Sequence, residues 1–214
     1  MERVVETIEY YFSLLSPYAY LGHAELLGMA SETGAKLVYR PVRIFDLFAA
    51  NGGLPLGQRA PARQRYRLLE LQRWRERRGL ALNLQPRHFP VDPTLADGAA
   101  IALADAGEDP AAYVAAGFRA LWAEDRDIAD RATVAALLRD AGHDPEPLLA
   151  AAAGVAVADR YRANTEAAIA ADLPGLPGYV RRGEAFWGQD RIDALRAAVV
   201  AGREPFASDD RRGR

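Results

Sequence analysis

Three stretches of this sequence carry side chains spaced to do chemistry: Ser16-Pro17-Tyr18 at the end of an apolar run, Gly-Leu-Pro-Gly at 175–178, and Trp-Gly-Gln-Asp at 187–190. Pro17 suits the first turn of a helix, where its missing N–H costs nothing, and that places Ser16 at the N-cap. A hydroxyl there has two uses. It can accept a bond from a free helix N–H for ~1 kcal/mol, or it can donate its proton to an anion drawn to the exposed N–H groups and partial positive charge of the helix start. A hydrogen bond to a charged group contributes ~1.5–3 kcal/mol and a helix terminus ~0.3–1 kcal/mol, against ~1.36 kcal/mol per pKa unit. Together they would lower a bound thiol from pKa ~8.5 by roughly one to three units, enough to make it mostly thiolate at neutral pH. The chain contains no cysteine. Any sulfur that Ser16 serves must therefore arrive with a ligand.

The other two stretches read more plainly from local rules. Pro177 marks the start of a strand, and X-Pro bonds in folded proteins are cis in only ~5–6% of cases, so local sequence favours a trans Leu176-Pro177 peptide. Asp190 is placed to cap a last helix, with Gln189 just ahead of it.

These residues need elements to position them. The alternation Ile8, Tyr10, Phe12, Leu14 within Val4–Leu15 predicts a first strand, and Tyr20, Leu21, Ala24 and Leu27 recur at helical spacing up to Gly34. A second strand at 36–42 completes β-α-β with a crossover long enough for parallel pairing. Helical patterns then cover 60–79, 92–107, 108–122, 127–142 and 155–171. Two short strands within 173–188 turn at Arg182-Gly183, and a last helix runs from Asp190 to about Ala201. The tail from Arg203 onward is polar and expected to be loose. This order, β-α-β … β-β-α with a large all-helical insertion, is that of an α/β protein with a thioredoxin-like fold. It divides the chain into a thioredoxin-like domain, 1–48 and 172–214, and an inserted helical domain, 49–171.

Bulk properties exclude several function classes. A net charge of −2 from 27 basic and 29 acidic residues among 214 gives no reason to expect nucleic acid or an anionic membrane as partner. The absence of cysteine rules out thiol-disulfide exchange by the protein itself. "MERVVETIEY" lacks the basic and apolar regions of a secretory signal, and no run approaches the ~20 apolar residues of a membrane span. The expectation is a soluble cytoplasmic protein with a small-molecule substrate and no metal.

The segments "FSLLSPYAYL" (12–21), "PARQRYRLLELQRW" (61–74), "RANTEAAIA" (162–170), "GLPGYV" (175–180) and "EAFWGQDRIDAL" (184–195) together resemble the 2-hydroxychromene-2-carboxylate isomerases, glutathione-dependent relatives of the kappa-class glutathione transferases. The resemblance implies that Ser16 faces the sulfur of a glutathione cofactor and acts as the catalytic residue. It also implies a cis Leu176-Pro177 peptide, reversing the local preference, with the Leu176 backbone pairing with the glutathione cysteinyl group as a short added strand. Gln189 and Asp190 would receive the γ-glutamyl end, Trp187 and Gly188 would line the groove, and Arg63 would hold a glutathione carboxylate. A homodimer is implied as well. Arg43, Arg59 and His88 stand in loops around the cleft as candidates for the carboxylate of the second substrate. Two positions depart from the family's pattern: Gly178 follows Pro177 where a hydroxyl residue is common, and Gly53 replaces an asparagine, though Asn51 is close by. The favoured activity is a glutathione-dependent cis-trans isomerase acting on an aromatic-degradation keto acid or similar conjugated acid. Glutathione transfer to an electrophile, or a thioredoxin-like binding module without chemistry, are the alternatives.

Overall fold

Alternating β-branched and aromatic residues make a strand only where neighbours complete its hydrogen bonds, and in the computed structural model, which describes residues 5–207, that holds for Thr7–Phe12 (β1). β1 lies second in a four-stranded sheet of order β2-β1-β3-β4. It pairs in parallel with β2 (Lys36–Pro41) and antiparallel with β3 (Gly178–Arg181), which forms a hairpin with β4 (Glu184–Trp187). The crossover element between the parallel strands β1 and β2 is α1 (Pro17–Thr33). The hairpin turns at Arg182-Gly183, both with positive φ, as the sequence predicts.

The first strand is shorter than expected. Val4 lies outside the described residues, and Ser13 and Leu14 leave the sheet because both bond to the buried Asp97 carboxylate. The helical block contains α2 (Ile44–Asn51), α3 (Pro61–Arg78), α4 (Thr94–Asp105), α5 (Ala111–Trp122), α6 (Arg131–Asp140), α7 (Pro145–Ala152) and α8 (Val155–Ala170). Five of these match the expected helices to within a few residues; α2 and α7 were not foreseen. α7 lies between the expected helices 127–142 and 155–171: Asp144 caps it by accepting from Glu146 N–H, and Pro145 sits in its first turn.

The last helix, α9 (Ile192–Ala201), corrects a second expectation. Asp190 does not cap it; residues 189–191 form a 3₁₀ turn, and the Asp190 carboxylate pairs with Arg191 at 2.7 Å. The tail is not loose at its start. Arg203 makes two 2.7 Å bonds to Glu184 and stacks on Phe206, while its carbonyl accepts from the fully buried Arg181. The rest of the expected loose tail, from 208, lies outside the described residues.

One hydrophobic core joins sheet and insertion. Phe12 and Leu14 pack with Phe118 and Trp122 of α5, and the Trp122 indole N–H donates to Leu14 O at 2.9 Å. The loop that ends in Ser16 is thus fixed from the insertion side. Among the described residues no helix is long and apolar enough to cross a membrane.

Candidate active site

The segment 13–18 owes its shape to Asp97. This carboxylate is fully buried, yet it accepts from Ser13 Oγ (2.7 Å), Leu14 N–H (2.9 Å) and Tyr161 Oη (2.7 Å). Burial outweighs these three donors and raises its pKa to about 6. The anchored segment then delivers Ser16, 3% exposed, to the start of α1.

Ser16 takes the first of its two roles, the helix cap, and rests its proton on a neutral carbonyl. Its Oγ accepts from Ala19 N–H at 3.2 Å, which is the helix cap. Its proton points to Leu176 O at 3.3 Å, long for an O–H···O bond and therefore easily turned to a better acceptor. Pro17 has no N–H and Ala19 N–H is engaged, so the free donor left in the first turn is Tyr18 N–H, which has no partner among the described residues. A hydroxyl and a helix N–H thus stand side by side for an anion.

Leu176 faces them from the opposite wall. The Leu176-Pro177 peptide is cis, as the resemblance implies; Phe89-Pro90, unforeseen, is cis as well. The Leu176 N–H has no partner among the described residues although the residue is 6% exposed, so this loop presents an orphan donor beside Ser16. Three donors therefore converge here, the Leu176 N–H on one side and the Ser16 hydroxyl and Tyr18 N–H on the other. Pro177 O accepts from Gly188 N–H at 2.9 Å, which ties the loop to the turn before α9.

The remaining expected residues divide. Gly188 adopts φ 105° with the Asp190 carboxylate over it, so close that a Cβ would lie 2.5 Å from Oδ1. Trp187 is half-exposed and its indole edge lies on Gly175. Gln189 is turned inward: it packs on Gly22 of α1, and its Oε1 accepts from Arg78 at 3.2 Å. Its side chain is taken up by the framework, while the exposed Asp190 carboxylate lies over Gly188 and pairs with Arg191. Arg63 stands on the exposed face of α3 and makes no side-chain bond among the described residues. Arg59 joins the groove, its guanidinium 5.5 Å from the Phe48 ring and its Nε bonded to Leu54 O. Arg43 and His88 are not brought to it. Arg43 lies over Tyr161 and His88 turns to Asp127 at 3.7 Å.

Phe48 and Leu173 explain the two departures noted in the sequence. Its ring occupies the place of a side chain at 53, where a Cβ would come within 2.5 Å of it, and it also touches the Gly175 position. Asn51 turns away to donate to Leu173 O, and the Leu173 side chain fills the space above Gly178, where a Cβ would meet it at 2.6 Å. Both positions are glycine because neighbouring side chains have taken the room.

Sequence reasoning missed Phe48, Tyr18 and Arg67. Arg67 is 9% exposed, and its guanidinium lies 5.7 Å from the Phe89 ring with no acid facing it among the described residues. A signal existed: Arg67 stands four residues before the buried Leu71 and seven before Trp74, on the apolar stripe of α3.

The DsbA-like thioredoxin domain family matches residues 7–200. The 2-hydroxychromene-2-carboxylate isomerase of Sphingobium xenophagum is 28% identical over 199 residues, covering 92% of this chain and 100% of that protein. Its counterpart in Pseudomonas putida is also 28% identical, over 90% of this chain and 93% of its own length. Among solved structures, a 2-hydroxychromene-2-carboxylate isomerase superposes with a TM-score of 0.74 at 26% identity, covering 91% of this chain and 95% of that one. The cytosolic disulfide reductase DsbM from Pseudomonas aeruginosa shares the fold, with a TM-score of 0.67 at 20% identity over 92% and 98% of the two chains.

Proposed function

For a chain that belongs to the DsbA-like thioredoxin domain family, we propose the activity of a glutathione-dependent isomerase of the 2-hydroxychromene-2-carboxylate isomerase type, acting on a conjugated organic acid. The observation that carries the reading is the pairing of Ser16 with Leu176 across the start of α1, in a chain that matches isomerases over more than nine-tenths of its length. Family members that exchange disulfides need a cysteine at this position. Here it is serine, and the chain has no thiol anywhere.

Glutathione, when bound, supplies a sulfur nucleophile that adds to and leaves a conjugated carbon. The chain's residues do the rest. Ser16 would donate a hydrogen bond from its hydroxyl to the sulfur and Tyr18 N–H would add a second, which favours the ionised form. Leu176 holds the peptide backbone by its free N–H as in strand addition. Asp190 is an acceptor for an ammonium group, and Arg63 holds a carboxylate. The aromatic wall of Phe48 and Trp187 excludes water from one side of the groove, which strengthens these interactions.

The test is incubation of the protein with 2-hydroxychromene-2-carboxylate with and without glutathione. Isomer formation that requires glutathione in catalytic amount supports the proposal. Accumulation of a stoichiometric glutathione conjugate, or isomerisation at the uncatalysed rate, contradicts it.

A further inference from the structure

An arginine is rarely buried without an acid beside it, because desolvating a guanidinium is costly and the ring of an aromatic neighbour offsets only part of that cost. Arg67 is such a case. Its stem is buried, with 9% of the residue exposed, it lies over Phe89, it makes no ion pair and no hydrogen bond with any described residue, and its guanidinium nitrogens reach the solvent. Its helix offers acids, but they are spent elsewhere: Glu70 is held by Arg73 at 2.6 Å.

Its surroundings form a continuous path to Ser16. Tyr18, two residues beyond Ser16 on α1, is half-buried, and its hydroxyl senses the charges of both Arg67 and Arg59. Arg59 lies on Phe48, Phe48 touches Gly175, and Gly175 precedes the Leu176 that accepts from Ser16. The cations are therefore linked to the Ser16 site through Tyr18 on one side and Phe48 on the other. Burial keeps the Tyr18 phenol protonated, so it is a donor there. Glu70 also acts on the phenol, but it is held by Arg73, so the two guanidinium groups and the phenol keep donors for a further carboxylate, which accepts from a planar fork and leaves lone pairs for the third donor.

We propose that Arg67, with Arg59 and the Tyr18 hydroxyl beside it, takes the carboxylate of the second substrate, a planar organic acid whose acid group lies next to its reacting conjugated system. The assignment rests on the function proposed above. It gives Arg67, and not Arg43 or His88, the choice of acid over neutral substrates, and it leaves the glutathione carboxylate to Arg63 one turn earlier on α3.

Binding of salicylate and of methyl salicylate to the full-length protein with saturating glutathione, followed by titration calorimetry, separates this from a structural role. The wild type should hold the acid about 10- to 100-fold tighter than the ester, the range of one charge-assisted pair. Arg67→Met, which keeps an unbranched stem under Phe89, should bind the two alike, and Arg67→Lys should recover part of the preference. Glutathione binding should be unchanged in both variants. An acid preference retained in Arg67→Met overturns the assignment, as does the absence of that preference in the wild type. Weakened glutathione binding in Arg67→Met overturns it in favour of a cofactor contact. A wild type that binds no glutathione defeats the functional reading instead, and the acid–ester comparison without glutathione still decides the role of Arg67.

Discussion

Asp97 and Arg67 are both buried charges, set at the two ends of the segment 13–18, and the protein treats them in opposite ways. Asp97 has three donors from two separate parts of the chain, the segment after β1 and α8; Arg67 has an aromatic face and no counter-charge. A buried charge fully bonded by its own protein is framework, and its removal strands its partners. One left without a partner on a groove is poised for something that binds. The difference separates the residues that shape the reacting end of α1 from those that use it.

The largest expected effect falls on the framework side. Asp97→Ala leaves the Leu14 N–H and two hydroxyls without an acceptor in a dry site, and should cost about 3 kcal/mol or more in denaturant unfolding. Arg67→Met should change stability by less than about 1 kcal/mol or raise it, because replacing an unpaired buried charge with an apolar side chain removes a desolvation cost. If Arg67→Met is the more damaging to folding, the comparison breaks.

A smaller effect sharpens the comparison through pH. The Asp97 carboxyl is raised from an ordinary 3.8 to about 6, so between those values the folded protein binds the proton more tightly than the unfolded chain. The resulting stabilisation is fully present below pH ~4 and is lost as pH rises through ~6. The unfolding free energy of the wild type, measured against Asp97→Asn across this window, should fall with rising pH, whereas a flat difference would mean that the three donors hold the carboxylate ionised.

Much of this was legible in the sequence. Ser16-Pro17 announced the helix start, and Arg182-Gly183 the hairpin, because caps and tight turns are set by local chemistry. The cis peptide at Leu176-Pro177 was visible only through the resemblance, since local preference favours trans. Asp97 stood in an alanine-rich helical stretch with nothing to mark its burial, and Gln189 looked like a groove residue until Gly22 of α1 was seen packed against it. Arg67 was hidden among the many arginines of α3, where only its register with Leu71 sets it apart. Each of these is decided by which distant elements meet, and one sequence does not state that.

A small expected change in stability also belongs to the residue with the largest functional role. Ser16→Ala loses one cap bond, about 1 kcal/mol, but removes the hydroxyl that faces the ligand. Titration of glutathione, followed by the ultraviolet absorbance of its thiolate across pH, is the direct measurement. With wild-type protein the bound thiol should ionise roughly one to three units below its free value of about 8.5, and in Ser16→Ala most of that shift should disappear. An equal shift in both proteins, or none in the wild type with glutathione bound, would contradict the role assigned to Ser16.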